Sequence, residues 1–322
     1  MSFTPITFNI VNLSERSKNI YLKIYNRSNQ STNFHMFSFL EIIQVTRDDL
    51  ELKFYVLYEK SEIIAIMPFF QKKYLPFTLS SLPYGCYGGF LYETRYRDKV
   101  FSFLGKYRYR LFTIINVYHD DVYANKYLHA TTCTTWVVQC TNHYDDFFTK
   151  LHPKTRNQIR KARKSGIEIK NIETKEELTQ VYEIYKGLVL KHNIKKPYPK
   201  KLFVELFTRS LDSEDILFKL SVLEDKITAY SVFLNNDRTI FYWLNASCSE
   251  FVQFNGTNAI LDDMVRYAYH HNIQEINLGA VPYGNQGLHH FKNRWRADEV
   301  CYHSYTSKIY QIRKVIIDTF FS

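Results

Sequence analysis

The sequence predicts a mixed α/β protein of two domains, and three observations carry that reading. Helical and strand periodicities are interspersed along the chain, which excludes all-α and all-β folds. A chain of 322 residues is long for one hydrophobic core and natural for two domains of ordinary size. With 45% hydrophobic and 23% charged residues, it can bury such cores and is not a disordered chain.

In the first part, Leu52–Glu59 and Ile63–Phe70 alternate or run apolar around Lys60-Ser61-Glu62, which predicts a hairpin. Residues 94–109, crowded with Arg and Tyr, predict a helix, and Leu111–Val117 and Thr134–Gln139 predict strands. The boundary falls at Thr141–His143, giving domains 1–143 and 144–322, because Tyr144-Asp145-Asp146 can start a short helix. In the second part, Leu178, Tyr182, Tyr185 and Val189 recur at helical spacing, and 199–211 predicts a further helix. Strands follow at 216–223, 227–235 and 239–245, with Asn235-Asn236-Asp237 as a turn. A helix over 257–271, strands at 274–279 and 299–306, and a final helix complete the order.

Between the two parts lies the most basic stretch. From Leu151 to Gly166 it carries six cations and no acid, with Pro153 suited to a first helical turn and Gly166 to the position past a helix end. Arg156, Arg160 and Arg163 fall within roughly 60° of one another on one helical face. Ile159 and Ala162 sit beside that face and could pin it to a core. Three guanidiniums on one pinned helix suggest a phosphate or carboxylate site, since their planar forks match such anions. A solvated basic face is the alternative reading.

This segment resembles one in the FemAB-like acyltransferases, which reads Leu, a few residues, Arg, then Ile-x-Lys-Ala-x-x-x-Gly-Val. Near the other end, Gly287-Leu288-His289-His290-Phe291-Lys292-Asn293-Arg294-Trp295 resembles that family's Gly…Phe-Lys-x-x-Phe element. The resemblance covers most of residues 40–305 in the same order. It implies two GNAT-type domains in tandem, the first on the acceptor side and the second on the acyl-donor side. The predicted order helix, helix, three antiparallel strands, helix, strand, strand matches a GNAT domain.

The resemblance also implies acyl transfer to an amine. Such a reaction needs the amine held against the carbonyl, a proton acceptor, and donors for the tetrahedral oxyanion. Lys292 is then the candidate charge-stabilising residue, with His289 a candidate proton carrier near neutral pH. Arg156, Arg160 and Lys292 are candidate clamps on a phosphate-bearing substrate. Gln253, Gly256, Thr257 and Asn258 fall where such enzymes hold the donor pyrophosphate, on a Gln/Arg-x-x-Gly-x-Gly/Ala turn at a helix start. Asn258 departs from the final small residue of that pattern. A plain strand–turn–helix connection would use the same residues.

Pro83-Tyr84-Gly85-Cys86-Tyr87-Gly88-Gly89 lies where the family has a Gly- and Pro-rich loop facing the acceptor. Tyr84 and Tyr87 are candidate acceptor contacts by that resemblance, Tyr242 and Phe291 candidate substrate contacts in the second domain. Some family members place an Asp shortly after the loop; here Phe90-Leu91 stand there, so no base carries over. Asp262-Asp263 and His270-His271 read as solvated ends of a packing helix.

The favoured expectation is a cytoplasmic N-acyltransferase using acyl-CoA on an amino sugar, sugar nucleotide or lipid-linked glycan precursor, with no tightly bound cofactor. The alternatives are an aminoacyl-tRNA-dependent peptidoglycan-precursor transferase and a GNAT-fold binding protein without catalysis. Peptidoglycan-branch enzymes often carry a long coiled-coil arm, and residues 190–201 are too short for one. Net charge +10 favours anionic partners, read here as nucleotide-bearing substrates and not DNA. The five cysteines show neither zinc spacing nor a disulfide framework, and no metal is expected. No secretory signal or membrane-spanning run is apparent. Residues 308–321 form an amphipathic segment, read first as docking on the protein's own sheet and second as a peripheral membrane contact.

Overall fold

A computed structural model describes residues 6–106, 114–118, 128–141, 143–282 and 284–307. The chain begins with β1 (Ile6–Asn12), α1 (Glu15–Tyr25), α2 (Phe37–Thr46), β2 (Leu50–Glu59) and β3 (Glu62–Lys72). It continues through β4 (Leu75–Ser80), β5 (Leu91–Tyr92), α3 (Arg97–Lys106) and β6 (Ile114–Val117). The predicted hairpin is β2–β3, antiparallel, with Lys60 at φ 56° in its turn. β1 pairs with β2, β3 with β4, and β4 runs parallel to β6. Tyr55, Phe69, Phe90, Tyr92 and Phe103 form the centre of this unit's core.

The chain goes on through β7 (Leu128–Gln139), α4 (Tyr144–Lys150), α5 (Pro153–Lys164), β8 (Glu168–Asn171), α6 (Lys175–Lys191) and α7 (Lys200–Asp212). Then come β9 (Ile216–Leu223), β10 (Lys226–Asn235), β11 (Thr239–Ser247), α8 (Gly256–His270), β12 (Glu275–Ala280), α9 (Gln286–Arg294) and β13 (Asp298–Ser307). The sheet order is β7-β12-β11-β10-β9-β8, antiparallel except for the β11–β12 pair. Trp136, Phe233, Ile260, Met264, Ile276 and Trp295 lie in its core.

Compact units divide the chain at Cys133/Thr134, with the residues from Cys301 returning to the first unit. The expected 143/144 boundary falls ten residues after this division. The reason is strand pairing: β7 reaches back to Leu128, and His303–Thr306 of β13 pair antiparallel with β6. The segment 308–321 lies outside the described residues.

α5 forms as its sequence implies. Pro153 occupies the first turn, His152 Nδ1 accepts the Lys154 N–H, and Gly166 at φ 82° follows the helix end. Ile159 and Ala162 are fully buried. α6 is capped by Thr174, whose hydroxyl accepts the Glu177 N–H while Glu177 reaches back to the Thr174 N–H. α9 was not foreseen as a helix, because Gly287 and the paired histidines give it little apolar period. Asn285 starts it by accepting the Leu288 N–H at 3.0 Å.

Candidate functional site

The parallel pairing of β11 with β12 lasts only from Thr239↔Glu275 to Phe241↔Asn277. β11 then continues to Ser247 and β12 to Ala280 without pairing to each other. Each strand carries an irregularity where they part. On β11, Trp243 is the extra residue between the Val232↔Leu244 and Phe233↔Tyr242 pairs. On β12, Leu278 and Gly279 stand opposite the single residue Trp136 of β7. Such bulges bend a strand and re-aim its backbone groups.

Asn277 builds the second bulge. It is 3% exposed, and its Oδ1 accepts the Thr135 hydroxyl at 2.7 Å and the Gly279 N–H at 2.8 Å. Gly279 turns there at φ 80°, a conformation that glycine adopts without strain. The turn directs two carbonyls toward α9. Lys292 Nζ donates to the Gly279 oxygen at 2.7 Å and the Ala280 oxygen at 2.9 Å.

Lys292 is 2% exposed and has no carboxylate partner among the described residues. Burial pushes its ammonium down to about 7, near neutrality. Two of its three N–H bonds end on carbonyls, and no acceptor for the third is found among the described residues. A buried cation with an open donor beside parted strands can stabilise negative charge that develops there. Asn277, missed in the sequence, is detectable only through the fold, since a lone Asn in a predicted strand carries no signal.

The expected pyrophosphate turn is a short helical turn, Ser249–Phe254, followed by Asn255 at φ 60° and then α8. The Asn255 side chain donates to the Gln253 carbonyl at 3.0 Å and does not cap the helix. The first-turn N–H groups of α8 are thus left by side-chain caps to another acceptor. Gly256 is there for close approach and not for turn freedom: a Cβ would lie 2.5 Å from Ser221 Oγ and 2.7 Å from Thr228 Oγ1. Thr257 Oγ1 shares a hydrogen bond with Ser247 at 2.6 Å. Asn258, expected at the donor, instead accepts the Trp295 indole N–H at 3.1 Å, which fixes α8 to the end of α9. Gln253 is exposed and donates to the Glu250 carbonyl.

Of the three arginines of α5, Arg156 and Arg163 find different polar partners, while Arg160 and Arg163 both approach the Phe148 ring. Arg163 Nη2 lies 2.5 Å from Asp262 Oδ2, and Arg160 sits 5.6 Å from the Phe148 ring centroid. Arg156 Nη1 donates to the Thr149 carbonyl. The two family-like motifs do meet, as the His152 N–H donates to the Arg294 carbonyl at 3.3 Å. Arg156 and Lys292 take separate partners within the fold. Asp262 is corrected: it is buried, 4% exposed, and collects Arg163, Arg266 and the Tyr144 hydroxyl.

The other expected contact residues have these neighbours within the fold. His289 stands exposed on α9, edge-on to Trp136 with Nε2 3.8 Å from Glu299. Phe291 packs on the core beside Trp295, and Tyr242 is 5% exposed and stacked on Phe233. In the first unit, Tyr87 is 4% exposed among Phe34, Tyr118 and Tyr302. Tyr84, half-buried at φ 62°, holds its ring 5.6 Å from the Arg47 guanidinium. Among the described residues, no group of three His, Cys, Asp or Glu could hold a metal ion.

With this geometry in view, residues 150–293 match the family model of an acetyltransferase (GNAT) domain. No curated protein matches the sequence. The fold resembles the crystal structure of FemX, with TM-score 0.68 and 11% identity over 96% of this chain and 99% of that one. It also resembles the C-terminal domain of a putative lysylphosphatidylglycerol synthetase from Agrobacterium fabrum, with TM-score 0.57, 11% identity, and coverage of 93% and 96%. A tandem GNAT protein from the clavulanic acid biosynthesis pathway gives TM-score 0.51 and 9% identity over 92% and 98%. The chain thus has the fold of tandem GNAT proteins. The stretch that matches the family model lies within the second unit.

Proposed function

We propose that the protein is an N-acyltransferase that moves an acyl group from acyl-CoA to the amine of an amino sugar, sugar nucleotide or lipid-linked glycan precursor. The observation that carries this reading is Lys292: buried, unpaired with any acid among the described residues, and holding one donor open where β11 and β12 part. In the transfer, the amine nitrogen attacks the thioester carbonyl, the amide C–N bond forms, and the C–S bond breaks. The amine proton passes to water, and the departing thiolate takes up a proton from solvent to give free CoA. Lys292 opposes the negative charge that builds on the carbonyl oxygen. The uncapped first turn of α8 offers backbone N–H groups to the donor's phosphates, aided by the helix dipole.

A second reading takes aminoacyl-tRNA as donor. The likeness to the putative lysylphosphatidylglycerol synthetase domain and the exposed basic face of α5 favour it. Calorimetry separates the two. Binding of CoA or short acyl-CoAs, weakened by Gly256→Ala, supports the first. Binding of charged tRNA, with no CoA binding at millimolar ligand, would move the assignment to the second.

A further inference from the structure

The turn joining α6 to α7 carries charge and apolar surface that acyl transfer does not use. From Ile184 to Val204 the chain has six lysines, Lys186, Lys191, Lys195, Lys196, Lys200 and Lys201, and no acid. Residues 190–197 are exposed without interruption. Leu190 is 81% exposed and Ile194 is 37% exposed within this run. Lys186 pairs with Glu183, whereas Lys191, Lys195 and Lys196 have no acidic partner among the described residues. Their charge faces outward.

The tip is held in place by ordered contacts. Asn193 at φ 48° ends α6, and the Ile194 N–H donates back to the Val189 carbonyl at 3.1 Å. The Tyr198 N–H donates to the hydroxyl of buried Tyr185 at 2.7 Å. That closure accounts for Ile194, whose place after a helix end ordinarily packs on the last turn. It does not account for Leu190, a large apolar side chain projecting beside three unpaired cations.

We propose that this tip docks on an anionic lipid surface. Leu190 enters the boundary between headgroups and acyl chains, and Lys191, Lys195 and Lys196 remain among the anionic headgroups. RNA phosphates would attract the same lysines, but they offer an exposed leucine nothing. The leucine therefore favours a bilayer. Among the described residues no helix is long and apolar enough to cross a membrane, so this contact is peripheral. It is independent of the donor and the acceptor.

The test is co-sedimentation of the full chain with vesicles of phosphatidylcholine alone, or of phosphatidylcholine mixed one to one with phosphatidylglycerol. Binding is expected only to the mixed vesicles and falls with added salt. Leu190→Gln should weaken it about tenfold, and Lys195→Glu with Lys196→Glu at least about 25-fold, roughly fivefold per lysine lost. Circular dichroism and CoA titration of each variant report on folding and the donor site. Poly(U) is the comparison probe. Binding to poly(U) that ignores Leu190→Gln, without vesicle binding, would make the surface a nucleic-acid site and overturn the proposal. Vesicle binding unchanged by all three substitutions, or no binding to either probe, would overturn it as well.

Discussion

The side-chain oxygen of Asn277 accepts the backbone N–H of Gly279, two residues along the same strand, at 2.8 Å. The same oxygen accepts the Thr135 hydroxyl from β7, so one buried atom ties the bulge to its neighbour strand. The Gly279 and Ala280 carbonyls reach Lys292 because that bulge exists. Local sequence, strand irregularity and a perturbed ammonium form one chain of cause.

Thr135→Val is nearly isosteric and removes one of the two donors to Asn277. It should cost about 1 kcal/mol of stability, the ordinary scale for one hydrogen bond. In kcat/KM it should cost more, as the carbonyls holding Lys292 shift. Thr135→Ser keeps the hydroxyl and should restore activity. Equal loss of activity in both variants would show that Thr135 matters only for packing.

Lys292 sets a pH dependence whose sign follows from its depressed value. Below about pH 7 the lysine is charged both folded and unfolded, and the folded state carries the full cost of burying charge. Between about 7 and its ordinary 10.5, the unfolded chain binds a proton that the folded chain does not. Stability therefore rises with pH across that window. Relative to Lys292→Met, the native protein should gain stability in urea unfolding between about pH 6 and about pH 9. If the ammonium form supports transfer, kcat/KM should fall as pH rises through about 7, and that limb should vanish in Lys292→Met together with most activity. A profile flat through neutrality would remove Lys292 from the charge-stabilising role.

Much of the fold was legible because its signals are local. The β2–β3 hairpin, the α5 start at Pro153 and the α6 stripe of Leu178, Tyr182 and Tyr185 each follow from spacing and end residues. Lys292 was reached through resemblance. Asn277 and the return of β13 to the first unit depend on long-range register, which no local window contains. The arginine face was legible only in part for a related reason: helical spacing places Arg156, Arg160 and Arg163 together but says nothing about the acid that Arg163 meets on α8.

That acid gives a stability prediction. Asp262 accepts from Tyr144 and Arg163 and pairs with the Arg266 charge at 3.4 Å, joining α4, α5 and α8. Removing one exposed arginine leaves the carboxylate its other partners, so Arg163→Ala should cost only about 0.5–1.5 kcal/mol. Asp262→Leu leaves the Tyr144 hydroxyl and Arg163 without their shared acceptor, and Arg266 without its ion pair. It should cost about 2–3 kcal/mol in urea unfolding, softened because both arginines can reach water. Equal costs for the two substitutions would argue against a shared acceptor.

Gly256 offers a test at the other end of α8. Its missing side chain lets the helix start lie against β9 and β10, where Ser221 and Thr228 share a hydrogen bond at 2.6 Å. An alanine there would place its Cβ 3.1 Å from Ser221 Cβ as well as against both hydroxyls. The helix start must then lift or the strands must yield, at about 1–3 kcal/mol for such overpacking. A lifted helix start also misplaces the first-turn N–H groups, so donor affinity should weaken along with stability. Ser221→Ala removes the nearest hydroxyl and should be less harmful beside Gly256→Ala than alone, so that the double variant loses less than the sum. Urea unfolding of the two single variants and the double variant, with CoA titration of each, measures both effects. Additive losses would mean that the glycine is required for some reason other than its contact with Ser221.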